Sequence, residues 1–340
     1  MHNVKNIKRV LIVGLGSIGK RHLQIIRELY PKIKITILRH RECINYDNNK
    51  LDAVDCVTSV EEALKFQPDV AIIATPSTKH IGISNKLARA GVHLLIEKPI
   101  SEKSDGVQSL INFCHESKIV LMTAYNLRFL PSLLEFRRQF QCGIAGKALS
   151  VSIEVGQYLP NWRPDNDYSK TVSAKKSMGG GVLLELSHEI DYMLWIFGSV
   201  EWVKSCVSRQ SSLKLDVEDT VDSIIRLKDS KGNQIIATLH MDFIRQDNTR
   251  KCTIVGDKGT LKWNANSGKV KFFSKQKQKW EVVHASVQDR NYTYMEEIKH
   301  FFSCVENSNP VFISGDDGLR VLLVIEAIRQ SSNNGNTVFL

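Results

Sequence analysis

The stretch Arg9-Val10-Leu11-Ile12-Val13-Gly14-Leu15-Gly16-Ser17-Ile18-Gly19 decides the fold. A short β-branched apolar run leads without a break into three glycines spaced Gly-x-Gly-x-x-Gly. Beyond them Ile18, Ile25, Ile26 and Leu29 recur at helical spacing, and Pro31 stops the helix. In a strand–turn–helix context each glycine has its own task. Gly14 permits the tight turn, Gly16 lets the backbone approach a pyrophosphate, and Gly19 lets the helix pack close to the strand. The first amides of the helix, at Ser17, Ile18 and Gly19, then face an anion.

The same alternation of strand and helix continues outward. Lys34 to Leu38, Val70 to Ala74, His93 to Ile96 and Ile119 to Thr123 read as strands. Helices are expected from about Thr78 to Ala90 and around Val107, Leu110, Ile111 and Cys114. Such a pattern implies a parallel sheet covered on both faces. After about Asn126 the period becomes two: Leu149, Val151, Ile153 and Val155 alternate with Ser150, Ser152 and Glu154, and Ile235 to Phe243 behaves alike. Gly256-Asp257-Lys258-Gly259 is a turn between two such runs. The expected architecture is α/β: an N-terminal Rossmann domain over residues 1–124, then an α+β domain over 125–340 on a mostly antiparallel open sheet. The second domain would bind substrate and form oligomers, with its last helix docking back on the first. Two helices near Tyr294 to Val305 and Asp317 to Gln330 close the chain, and the polar tail Ser331 to Asn336 reads as a loop.

Bulk properties narrow the function. The 340 residues suit two domains, and 42% hydrophobic with 24% charged residues is ordinary for a soluble protein. Lys and Arg number 46 against 36 Asp and Glu, a net charge of +10. The cations are scattered; the densest stretch, Lys269 to Lys279, reads as a solvated hairpin, so no nucleic-acid partner is expected. A polyanionic substrate such as a nucleotide sugar would suit the charge. Seven cysteines, an odd number with no Cys-x-x-Cys, argue against a zinc knuckle or a disulfide framework and favour a reducing compartment. No metal is expected. No signal peptide or apolar run of membrane-spanning length is read, which implies a cytoplasmic protein without a membrane partner.

About twenty residues past Gly19, NAD enzymes usually place an acid on the ribose hydroxyls. This chain has Arg39-His40-Arg41. A guanidinium can bind a 2′-phosphate bidentately, so the cofactor is NAD(P) with NADP favoured.

Four motifs in order carry a resemblance: the Gly14 to Gly19 turn, Thr75-Pro76 with His80, Glu97-Lys98-Pro99 at a strand end, and Gly179-Gly180-Gly181 followed by His188 and Asp191. Together they resemble the Gfo/Idh/MocA family, the glucose–fructose oxidoreductase and inositol dehydrogenase type, over essentially the whole chain. The resemblance implies hydride transfer between a nicotinamide and a hydroxyl or keto group of a sugar, sugar derivative or nucleotide sugar. It makes Lys98 and His188 the proton-handling pair and puts Glu97 on the nicotinamide side. Thr75, Pro76 and His80 join the cofactor set, and Pro99 would hold a cis bond. Gly181 to Trp195 reads as one helix whose start the glycines free to approach the cleft. Glu185, His188 and Asp191 then share a polar face. Many relatives have Asp-x-x-x-His where this chain has Glu185-x-x-His188, so Glu185 either holds a substrate hydroxyl or orients His188. Asn126, Arg128, Trp162, Arg163 and Tyr168, with Asp191, complete the expected substrate set. The family's oligomers imply a homodimer or homotetramer through the sheet face bearing Thr238, His240 and Asp242. A redox-assisted glycoside hydrolase of the same fold and a non-enzymatic NADP-sensing regulator are the alternative readings.

Overall fold

The structure, a computed structural model, describes residues 6–39, 54–287, 289 and 291–340. By its internal contacts the chain divides into two units. One comprises residues up to Asn126 together with Asn291–Arg320; the other comprises Leu127–Arg290 with Val321–Leu340.

The first unit is built on β1 (Arg9–Val13), β2 (Lys34–Leu38), β3 (Val54–Val57), β4 (Val70–Ile73), β5 (His93–Glu97) and β6 (Leu121–Ala124). They form a parallel sheet in the order β3-β2-β1-β4-β5-β6. Val10 to Val13, all of β4 and Leu94 to Glu97 are buried. Strands covered on both faces need apolar side chains at every position, which explains the unbroken runs in the sequence. Between them run α1 (Ser17–Leu29), α2 (Val60–Lys65), α3 (His80–Arg89) and α4 (Val107–Glu116). The strand order reverses between β1 and β4. Open α/β sheets bind ligands at such a reversal, beyond the carboxyl ends of the strands.

The second unit carries β7 (Ala148–Gly156), β8 (Ser199–Ser208), β9 (Thr220–Lys228), β10 (Gln234–Asp242), β11 (Thr249–Gly256), β12 (Gly259–Asn264), β13 (Lys269–Ser274) and β14 (Lys279–Ala285). It also holds α5 (Pro131–Gln141), α6 (Val182–Glu185) and α7 (His188–Phe197). Late in the chain come α8 (Tyr292–Asn307), α9 (Gly315–Asn334) and β15 (Val338–Phe339). The nine-stranded sheet runs β14-β13-β12-β11-β7-β10-β9-β8-β15. Only β7 and β10 pair in parallel, so the sheet is mixed but mostly antiparallel.

One face of this sheet is core: Val151, Ile153, Ile225, Leu239, Ile254 and Trp263 are buried. Trp263 packs edge-on against Tyr192 and donates its indole N–H to Ser132 Oγ at 3.0 Å. The other face is open. Cross-strand neighbours Ile224 and Thr238, and Ile236 and Ser150, are exposed there. His240 is gripped by Asp242 at 2.9 Å and Asp222 at 2.7 Å. Hydrogen bonding to Asp242 and Asp222 pushes its pKa up to about 9, so the ring is cationic at neutral pH. Asp242 is expected on the open face, but it is buried, because its carboxylate also accepts the backbone amides of Ile244 and Arg245.

Two further expectations fail. Ser331 to Asn334 is the end of α9, not loop. Its serines dock rather than face water: Ser331 Oγ accepts from Ser205 N at 3.1 Å, and Ser332 Oγ from Val207 N at 2.8 Å. Five cysteines, at 114, 142, 206, 252 and 304, are free thiols, whereas Cys56 is disulfide-bonded, one exception to the thiol chemistry expected. Among the described residues no helix is long and apolar enough to cross a membrane.

Candidate active site

In the first unit, steric constraints explain two glycines of the opening motif and leave the third. A Cβ on Gly19 would lie 2.1 Å from Gly14 O, and one on Gly14, whose φ is +92°, would lie 2.7 Å from Ala74 O. The fold itself therefore demands both. Around Gly16 nothing lies within 4 Å of a built Cβ. Gly16 is exposed and caps α1, whose first turn holds no acid and receives no side-chain cap. Helix geometry leaves the first amides of α1 without intrahelical acceptors. Thr75 Oγ1, just past β4, is buried without a partner among the described residues. A bare helix start, a glycine that only an incoming ligand would require and an orphaned hydroxyl fit a dinucleotide's phosphates.

The Glu97-Lys98-Pro99 motif sits at the carboxyl end of β5, and its Lys98–Pro99 peptide is cis. Glu97 is buried. Its Oε1 accepts from His22 Nε2 at 2.7 Å and its Oε2 from the Lys98 backbone amide at 3.2 Å. The Lys98 side chain is half-buried. His80 has a different task from the one expected. It is buried, with Nε2 2.8 Å from Thr75 O and Nδ1 3.1 Å from Pro99 O. Burial lowers its pKa, so the ring is neutral and its N–H serves the shorter contact. That one N–H ties His80 to the Thr75-Pro76 turn, while Nδ1 faces the Pro99 carbonyl without a proton to donate; both nitrogens lie against backbone inside the protein. Asn126 is likewise committed, donating to Thr293 Oγ1 on α8 at 2.9 Å. Arg39 is half-buried at the end of β2, with its amide on Val57 O at 3.0 Å. His40 and Arg41 lie outside the described residues.

In the second unit, the expected continuous helix over Gly181 to Trp195 is two helices. The chain leaves helical geometry at Leu186 (φ −100°, ψ 22°), so Glu185 ends α6 and His188 begins α7. Both side chains are half-buried. The glycines before α6 serve this unit's own packing. A Cβ on Gly180 would lie 2.3 Å from Val172 O, and one on Gly181 (φ +106°) would lie 2.5 Å from Glu218 Oε1. Glu218 caps the helix, since its backbone and side-chain oxygens accept from the Val182 and Leu183 amides.

Arg128 and Asp191, both expected to reach substrate, satisfy each other. Arg128 Nε donates to Asp191 Oδ2 at 3.0 Å and its other arm to Oδ1 at 2.7 Å. The side chains are 4% and 1% exposed, so the pair is internal. Glu189 is buried and accepts from Arg250 Nε at 2.8 Å. Trp162, Arg163 and Tyr168 line a notch of about 10 Å³, room for about one water and not for a sugar ring. Trp162 packs edge-on against Phe243, and Tyr168 Oη accepts from the Lys214 amide.

Residues 8–125 match the family described as "Oxidoreductase family, NAD-binding Rossmann fold", and residues 146–340 match its "C-terminal alpha/beta domain". The chain belongs to the Gfo/Idh/MocA oxidoreductase family. Myo-inositol 2-dehydrogenase of Thermotoga maritima is 24% identical over 98% of each chain. Levoglucosan dehydrogenase of Pseudarthrobacter phenanthrenivorans is 24% identical over 81% of each. Among solved structures, levoglucosan dehydrogenase in complex with NADH and levoglucosan superposes with a TM-score of 0.85 at 20% identity, covering 99% of each chain. The WlbA dehydrogenase of Bordetella pertussis, in complex with NADH and UDP-GlcNAcA, does so with 0.82 at 20%, covering 99% of this chain and 98% of that one.

Sequence reading of this Gfo/Idh/MocA chain missed His22, Glu218 and a carboxyl on α8, Glu297. Two of the three were visible as polar residues in apolar phase. His22 falls four residues after Ile18 and three before Ile25, and Glu297 falls four before Phe301. Glu218 stands in a loop and leaves no local signal.

The geometry separates a structural from a substrate role for Arg128 and Asp191. Removing one partner strands a buried charge, so Arg128→Met or Asp191→Asn should each cost about 3–5 kcal/mol in urea unfolding. Unchanged stability together with a raised KM would return the pair to the substrate set.

Proposed function

We propose that this chain is a nicotinamide-dependent dehydrogenase or reductase acting on a hydroxyl or keto carbon of a sugar, sugar derivative or nucleotide sugar. One observation carries the reading. The open helix start at Gly16 and the Glu97-Lys98 strand end both stand at the carboxyl edge of a single parallel sheet. The cofactor, when bound, supplies or accepts the hydride. The protein's part is to bind, orient and move a proton. The amides at Ser17, Ile18 and Gly19 hold the pyrophosphate, and Glu97 faces the nicotinamide. Lys98 orients the substrate oxygen and, with His188, takes up or returns its proton. Glu185 directs His188 or holds a neighbouring hydroxyl. Relatives named for inositol and levoglucosan, and a structure holding UDP-GlcNAcA, span this substrate range. A panel of sugars, inositols and nucleotide sugars, read by absorbance of reduced nicotinamide with NAD and NADP, tests the assignment. Turnover of no polyol or sugar in the panel would count against it.

We also infer an NADP preference through Arg39, with Arg41 assisting. Arg39→Asp should weaken NADPH binding by about ten- to a hundredfold, the loss of a charged contact, and leave NADH nearly unaffected. Equal wild-type affinity for the two would end this argument.

A homodimer or homotetramer through the open face of the nine-stranded sheet is part of the same reading. Ile224, Ile236 and Val255 are 48%, 39% and 44% exposed there, an apolar presentation that a second copy would cover. Multi-angle light scattering should report at least a dimer, and Ile224→Lys should lower the mass; a wild-type monomer at assay concentration refutes it.

The chemistry is tested at Lys98 and His188. Lys98→Met should abolish turnover and leave cofactor affinity nearly intact. His188→Ala should lower kcat by about a hundred- to ten-thousandfold. The double variant should lose little more than Lys98→Met alone, since groups acting as a unit are not additive. Near-normal turnover by Lys98→Met would displace the site.

A further inference from the structure

Glu297 lies in the middle of α8 and is fully buried, and neither carboxylate oxygen has a hydrogen-bond partner among the described residues. Leaving an ionised carboxylate in that condition is among the most costly arrangements a fold can hold. The cluster around it is compact and charged. Glu97, on β5, interacts with it electrostatically. His22, on α1, holds Glu97 at 2.7 Å and has a buried Nδ1 that no described residue meets. Tyr294, one turn back on α8, lies edge-on to the His22 ring at 6.0 Å, and the Arg21 guanidinium stacks 4.8 Å from the Tyr294 ring. Among the described residues, Glu97 from the sheet and Tyr294 from its own helix interact electrostatically with Glu297; His22 and Arg21, on α1, pair with those two.

Two carboxyls in one buried site cannot both ionise cheaply. Glu97 has the compensation, a histidine N–H and a backbone amide; Glu297 has none among the described residues. The proton therefore resides on Glu297, and burial followed by the Glu97 charge raises its pKa well above the ordinary carboxyl range.

We propose that Glu297 is a positioning residue for the cofactor: in its neutral form it leaves Glu97 as the sole negative charge of the cluster, seated on His22 and on the Lys98 amide. Ionised, it repels Glu97 from that seat. The inference rests on the reading of Glu97 as the nicotinamide-side residue given above. Glu297 acts through Glu97 and touches no reacting atom.

Three proteins test it: wild type, Glu297→Gln and Glu297→Leu, the second neutral variant guarding against a fault peculiar to glutamine. Thermal melting without cofactor reports the protonation state. A carboxyl whose folded pKa is raised loses its contribution as pH rises from the unfolded value through the folded one. The melting temperature of Glu297→Gln relative to wild type should therefore climb as pH goes from mildly acid to mildly alkaline. A difference that stays flat means Glu297 is ionised throughout and overturns the proposal. Calorimetric titration with NADPH and NADH over the same range reports the positioning. Wild-type affinity should fall about tenfold toward alkaline pH, the size of one displaced charged hydrogen bond, and both neutral variants should remove that fall. A purely structural residue would weaken binding without changing the slope, and an unchanged slope overturns the positioning role. If wild type binds neither cofactor at any pH, the functional reading fails and the positioning role falls with it, whereas the melting difference still reports the buried proton.

Discussion

The first unit depends on one close approach: Gly19 against Gly14, where even a methyl group would meet a carbonyl oxygen at 2.1 Å. That contact seats the first turn of α1 on the β1 turn and fixes where the helix begins. Every later element of the half-site inherits the position. The free amides of α1 open toward Gly16 because the helix is anchored behind them. His22 lies three residues on, less than one turn, so the same anchor sets the height at which its Nε2 meets Glu97. A larger residue at position 19 would push the helix off the sheet and move the amides and His22 together.

From there the order passes into the strand end. Glu97 is pinned from two directions, by a ring on α1 and by the amide of the residue that follows it. His80 adds a third fixed point, its N–H on the Thr75 carbonyl. Lys98 thus leaves a backbone held on both sides. The helix α8 closes this arrangement from far along the chain. Residues 291–320 belong to the first unit by their contacts, and they supply Thr293 to Asn126 and Glu297 to the carboxyl cluster.

Local periodicity made much of this legible. The strand–glycine–helix opening, the parallel alternation and the two-residue turn at Asp257-Lys258 involve neighbours in the chain, and nearest-neighbour chemistry settles them. Glu97 and Lys98 were legible through their motif at a strand end. What stayed hidden were the partners. Asn126 to Thr293 spans 167 residues and Arg128 to Asp191 spans 63. Spacing shows that a polar residue shares a face with apolar ones; it does not show which distant group will meet it. Asn126, Arg128, Asp191 and His80 therefore read as ligand residues, while the structure gives each a partner inside its own unit. The serines of 331–334 were misread for the same reason, since polarity signals water until a strand edge is seen to use it. The break at Leu186 was also hidden, because the apolar and polar residues from Val182 to Leu194 fit one helix almost as well as two.

That break gives the buried ion pairs of the second unit their purpose. α7 does not inherit its direction through an unbroken ladder from α6, so contacts outside the helix must fix where it starts. Its first turn carries Glu189 and Asp191, acids that suit a helix N-terminus. Arg250, from β11, takes Glu189; Arg128, from the loop before α5, takes Asp191. Arg128 also stacks on Trp195 one turn further along, at 5.4 Å, with Arg137 against the same ring at 4.4 Å. Buried pairs are weak contributors to net stability, since apolar replacements of similar volume often do as well. They are directional, however: a bidentate guanidinium fixes distance and orientation where a packed leucine would tolerate a slide. Held by two arginines from different elements, the first turn of α7 has little freedom to rotate or shift along its axis. His188, its first residue, takes its place from that anchored turn.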